Sequence, residues 1–197
     1  MSKSAIILIV ILILPWIGVI IYKLTKKSRS LKYYRKLKEK YELTEKANGK
    51  NIPVFEGVYR SRTVNIENKE YGAKKKLSTQ LTVRCENPAD FEITLVKRSR
   101  ANNSVYSADS SPVDDEEFDK LFFVHTNNPE RVKKLFDFNT RFKLQQVNDL
   151  GFNGIISLTG NEFTYTEPGT LNSDTAVMRF ELVLHELCDL ADVMKYN

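Results

Sequence analysis

The sequence predicts an α+β protein: a single N-terminal transmembrane helix and a basic helical stalk, then an antiparallel sheet of about six or seven strands packed by two or three helices. Three observations carry that expectation. Residues Ala5–Tyr22 run for eighteen positions without a charge. From Ile52 apolar residues recur at every second position, the period of a half-buried strand. Near the C-terminus they recur at every third or fourth, the period of a helix with one buried face. The expected division is residues 1–22 as anchor, 23–50 as juxtamembrane helix and linker, and 51–197 as folded domain.

Eighteen helical residues span about 27 Å, enough for a bilayer's hydrocarbon core. Pro15 removes one backbone hydrogen bond within the stretch, which membrane helices tolerate. A cleaved secretory signal is the competing reading, but the small residue Gly18 would place the bulky Trp16 at the other cleavage position. Flanking charge sets the expected orientation. Lys3 precedes the stretch, whereas residues 23–40 hold nine basic residues against Glu39 alone. That asymmetry predicts an inner (plasma) membrane protein with its N-terminus outside and its domain in the cytoplasm. Lys23, Lys26, Lys27, Arg29, Lys32, Arg35 and Lys36 are the expected contacts to anionic lipid headgroups.

The net charge of +5 is concentrated in that run, so the remainder of the chain is mildly acidic. A nucleic-acid partner is therefore not expected. The two cysteines, Cys85 and Cys188, do not make a disulfide framework and read as small buried residues.

After the anchor, Lys23–Lys46 lacks Pro and Gly and reads as helix. Its narrow stripe of Leu31, Tyr34, Leu37 and Tyr41 is expected to pack on the domain's own sheet, or else to pair with another copy. Val54–Tyr59 and the run around Val64 and Ile66 read as a tight hairpin. Leu77, Thr79, Leu81, Val83 and Cys85 share one strand face, and Asn87-Pro88-Ala89-Asp90 turns the chain toward Phe91, Ile93 and Leu95. Residues 97–117 are polar and Ser/Asn-rich, a long loop. Phe118–Val124 reads as a short apolar strand. Asn128 then caps a helix with Pro129 at its first position. Asn139-Thr140 is the expected break before a second helix over Phe142–Leu150. Gly160-Asn161 joins two strands, Ile155–Leu158 and the run through Phe163 and Tyr165. Thr175–Lys195 closes the core, with Val177, Phe180, Leu184, Leu187, Ala191 and Met194 on one face.

In order of pieces, the chain resembles a broad group of uncharacterised bacterial membrane-anchored proteins. The shared elements are Glu117-Phe118-Asp119, Phe122-Phe123-Val124, the charged helix Pro129–Phe136 and the hairpin Ile155–Tyr165. The resemblance implies a membrane setting for an α+β domain and no particular activity.

No catalytic, cofactor-binding or metal-ligating set is expected. His185-Glu186 begins the zinc motif H-E-x-x-H, but Asp189 stands where the second histidine belongs. Glu181, His185, Cys188, Asp189 and Asp192 share the polar face of the closing helix and read as solvated charges rather than ligands. His125 has no marked nucleophile beside it. No phosphate loop or calcium loop is present in the sequence. The expected function is a non-enzymatic adaptor at the cytoplasmic membrane face with a protein partner and no cofactor. The alternative is a small-ligand or lipid-binding domain with a pocket lined by Phe118, Phe122, Phe142 and Phe163. An enzyme using His125 or His185 is the third reading.

Overall fold

The protein is described by a computed structural model covering residues 16, 28–47, 53–71, 76–99, 106 and 110–196. Its strands are β1 (Thr44–Lys46), β2 (Val54–Tyr59), β3 (Arg62–Tyr71), β4 (Lys76–Arg84), β5 (Ile93–Lys97), β6 (Phe122–Thr126), β7 (Ile155–Thr159) and β8 (Glu162–Pro168). Its helices are α1 (residues 28–40), α2 (Glu116–Leu121), α3 (Pro129–Leu135), α4 (Phe138–Asp149) and α5 (Asp174–Tyr196).

All eight strands join one antiparallel sheet in the order β1-β2-β3-β4-β8-β7-β5-β6. Alternation along each strand sends one set of side chains inward, and the register aligns those sets. Phe55 faces Ile66, then Leu81, Tyr165, Ile156, Leu95 and Val124 follow in one row across seven strands. Every member of that row is buried. The opposite face carries Thr63, Gln80, Thr82, Thr164 and Ser157, as expected of a sheet covered on one side.

Helices α1, α5 and α4 cover the inward face side by side. Tyr34 and Leu37 of α1, Phe180, Leu184, Leu187 and Ala191 of α5, and Leu144 and Val147 of α4 supply the apolar contacts. Helix α5 lies in the middle: Lys36 and Lys40 of α1 pair with its Asp174 and Glu181, while Lys143 of α4 pairs with its Asp189.

Local chemistry sets the ends. Asn128 accepts from the Arg131 N–H ahead of Pro129, as expected. Asp137 accepts from the Thr140 N–H and starts α4, so the break falls at Phe136–Asp137, before Asn139-Thr140. Gly160 takes φ +55° in the β7–β8 turn. Arg60 and Ser61, at φ +50° and +62°, form a tight β2–β3 turn without glycine.

Several expectations are corrected. The sheet has eight strands, not six or seven, and beyond the stalk helix α1 four helices are described, not two or three. The added strand, β1, is exposed at all three positions and so has no apolar period to betray it. Residues 116–121 are helical, not the start of a strand, because Asp115 caps them with its carboxylate on the Phe118 N–H. Strand β5 does not return beside β4; it crosses to lie between β7 and β6.

The expected single-pass anchor is also corrected. Among the described residues no helix is long and apolar enough to cross a membrane. The longest, α5, carries Glu181, His185, Asp189 and Asp192 along one side, charges that hydrocarbon does not accommodate. The stretch Ala5–Tyr22 lies outside the described residues apart from Trp16.

Candidate functional site

The outer surface of the three-helix layer carries ion pairs across its helices together with the exposed apolar side chains Phe138, Phe142, Met178 and Leu182. Its base is a buried seam under α1. The Tyr34 hydroxyl lies 2.7 Å from Thr79 Oγ1 and donates to Asn68 Oδ1 at 2.9 Å, and it accepts from the Leu171 N–H. Ser30 donates to the Leu171 carbonyl at 2.7 Å. These bonds fix the rotation of α1 and hence the direction of its other side chains.

The cations of the layer fall into two classes. Lys36 meets Asp174, Lys40 meets Glu181, Arg60 meets Asp189, Arg62 meets Asp192, and Lys143 meets Asp189 and Glu186. Arg29, Lys32 and Arg35, all exposed on α1, have no carboxylate partner among the described residues. Of the residues expected to touch lipid, Arg29, Lys32, Arg35 and Lys36 are therefore on the surface of one ordered helix. Lys23, Lys26 and Lys27 lie outside the described residues.

The polar face of α5 is not simply solvated. Glu181, Asp189 and Asp192 are engaged by the cations above, and His185 Nε2 lies 3.0 Å from the Tyr41 hydroxyl and 3.3 Å from that of Tyr59. Partial burial and the positive charges of Lys40 and Arg60 lower the His185 pKa. Asp189 titrates below the usual carboxylate range: burial opposes ionisation, but hydrogen bonds from Lys143 and Arg60 outweigh it. Cys188 turns into the core, and burial pushes its thiol up to about 11. The set thus divides between ion pairs and core, and the described residues contain no group of three or more potential metal ligands.

His125 sits on the far side of the sheet, on β6, with its ring 5.4 Å from that of Tyr106. Val124 beside it points inward and belongs to the same row as Leu95, so His125 and His185 are on opposite faces of the sheet. They do not form one site.

The aromatic residues expected to line an interior pocket do not. Phe118, Phe122 and Phe163 are buried in the core, while Phe142 is exposed. The void between sheet and helices, bounded by Ile93, Phe136, Leu144 and Leu190, is too small for a water molecule. A groove of ≈ 510 Å³ lies instead on the opposite face of the sheet, over Gln80, Thr166, Ile155 and Val96. These four are consecutive register partners across β4, β8, β7 and β5.

The exposed apolar side chains of the helical layer were not foreseen from the sequence. Phe138 and Phe142 of α4 stack at 6.4 Å, and Met178 and Leu182 project from α5. The spacing of four within each pair was legible, but of the four only Phe142 carried an expectation, as part of a pocket lining.

No family model matches the sequence, and no curated protein matches it. Among solved structures, the fold is similar to that of the mycobacterial trehalose monomycolate transport factor A, TtfA. The TM-score is 0.53 at 12% sequence identity, covering 85% of this chain and 93% of the other. The likeness is one of fold.

Proposed function

We propose that this protein is a non-enzymatic factor associated with lipid transport, working as an adaptor against an anionic membrane surface. The single observation that carries the reading is the set of three α1 cations, Arg29, Lys32 and Arg35, which lack a carboxylate partner among the described residues. The other cations of α1, Lys36, Lys38 and Lys40, are matched by carboxylates. An unmatched row of cations on an ordered helix is complementary to phosphate headgroups, at about 1 kcal/mol per basic residue held near the surface. Such lipid is richest in the cytoplasmic leaflet, which makes that leaflet the proposed site of work.

The likeness in fold to a protein titled as a transport factor for trehalose monomycolate supports the lipid-transport class. It does not extend to that lipid as a substrate. A surface docked on lipid leaves the sheet's far face open to a protein partner, and confinement at the membrane raises that partner's effective concentration.

The test is a competition between vesicles of phosphatidylcholine and vesicles containing phosphatidylglycerol, with the full chain free to partition between them. The wild-type protein is expected to favour the anionic vesicles, less so as salt rises. Combined Arg29→Glu, Lys32→Glu and Arg35→Glu substitutions should lower that preference by up to about a hundredfold. A wild-type distribution indifferent to anionic lipid would sink the proposal, provided circular dichroism shows the fold intact.

A further inference from the structure

We infer that the whole outer face of the α1–α5–α4 layer is the surface that seats on the bilayer, with Phe138, Phe142, Met178 and Leu182 entering the boundary between headgroups and acyl chains. This rests on the membrane-surface reading above and adds to it the orientation of the domain and the apolar part of the contact.

Each helix turns a buried stripe to the sheet, and residues half a turn away must point outward. In α4 the stripe is Thr140, Leu144 and Val147, which places Phe138 and Phe142 on the outward side. In α5 the stripe runs through Phe180, Leu184, Leu187 and Ala191, which places Met178 and Leu182 outward. In α1 the stripe is Ser30, Tyr34 and Leu37, which places Lys32, Arg35 and Lys36 outward. Three helices in one layer thus present cations and large apolar groups in the same direction.

The exposures are large for such side chains. Phe138 is 72% exposed, Met178 53% and Phe142 51%. Two phenyl rings stacked on each other in water and pointing away from the core do nothing for the packing of the sheet. Aromatic and aliphatic side chains beside cations on one helical surface are the composition of an interfacial element, whose apolar groups enter about 5–10 Å below the headgroups. Charge complementarity selects the occupant: the unmatched charges of this surface are mainly positive, as an anionic bilayer requires. Glu39 of α1 and Asp149 of α4 are outward carboxylates without a cation partner among the described residues, a minority that basic residues outweigh.

The experiment reads the orientation directly. In the full chain carrying Trp16→Phe, a tryptophan is introduced by Phe142→Trp, Met178→Trp or Ile155→Trp, the last in the groove on the opposite face of the sheet. Each protein is bound to phosphatidylglycerol vesicles containing phosphatidylcholine brominated in its acyl chains. Emission from Phe142→Trp and Met178→Trp should shift to shorter wavelength and be quenched, while that of Ile155→Trp should stay unquenched. The double variant Phe138→Ser/Phe142→Ser should bind the same vesicles about tenfold more weakly. Quenching of Ile155→Trp equal to that of Phe142→Trp would overturn the inference. So would an unquenched Phe142→Trp, the result expected if a protein covers this face. Anionic preference retained alongside either of those results would leave the membrane-surface reading standing and remove only this orientation; loss of both would remove both.

Discussion

Lys143 Nζ stands 3.3 Å from the carboxylate of Glu186, a side chain with no exposed surface, at the seam between α4 and α5. Burial raises the Glu186 pKa to about 6, against the opposing pull of Lys143. Lys143 and Thr140 approach the carboxylate and oppose the rise, but neither closes a well-formed hydrogen bond on it among the described residues, so burial prevails.

The sign of the pH dependence follows. A carboxyl whose folded pKa lies above its unfolded value binds protons more readily in the native state, so its contribution to stability is greatest below about pH 4.5 and declines as pH rises through 6. The Glu186→Gln variant lacks that decline. Measured by urea denaturation, it should gain on wild type between pH 4.5 and pH 7, by on the order of 2 kcal/mol. A difference between the two proteins that is flat with pH would contradict the assignment.

Tyr34 should behave as a structural keystone of α1. Tyr34→Phe keeps the ring, which stacks on Phe55, and removes the hydroxyl shared by Asn68, Thr79 and the Leu171 N–H. Leaving those groups buried and unpaired should cost about 1–3 kcal/mol, read as a lower midpoint of chemical denaturation.

Arg179 and Glu167 form a bidentate pair at 2.5 and 2.8 Å, with Arg179 also donating to the Leu150 carbonyl at 2.6 Å. Arg179→Leu alone should destabilise by about 3–5 kcal/mol, because Glu167 is left charged and buried. Adding Glu167→Leu should recover a large part of that loss. A double-mutant cycle showing simple additivity would refute the coupling.

Cys85 and Cys188 are buried with thiols pushed up to about 11 by desolvation. Both should resist maleimide labelling at neutral pH in the folded protein and react together once urea unfolds it. Labelling of Cys188 under native conditions would mean that α5 leaves the sheet far more readily than its packing implies.

Local pattern alone determined much of this protein. The alternation of Val64, Ile66, Leu81 and Val83, the Asn128-Pro129 cap, the Gly160-Asn161 turn and the spacing from Val177 to Met194 each carry their element, because each depends on neighbours a few residues away. The same is true of the cation excess on α1 and of the inward burial of Tyr34 and Leu37. Tertiary structure decided what depends on residues far apart in the chain. Strand β5 had no local reason to leave β4 and pair with β6 and β7, and the polar β1 strand exists only because β2 offers it an edge. The face of α5 bearing Glu181, Asp189 and Asp192 looked solvated until α1, the β2–β3 turn and α4 delivered a cation to each carboxylate. Among the described residues, matching those charges leaves Arg29, Lys32 and Arg35 as the unmatched cations of α1, and no periodicity can report that, since an ion pair is a distance between side chains and not a spacing in sequence.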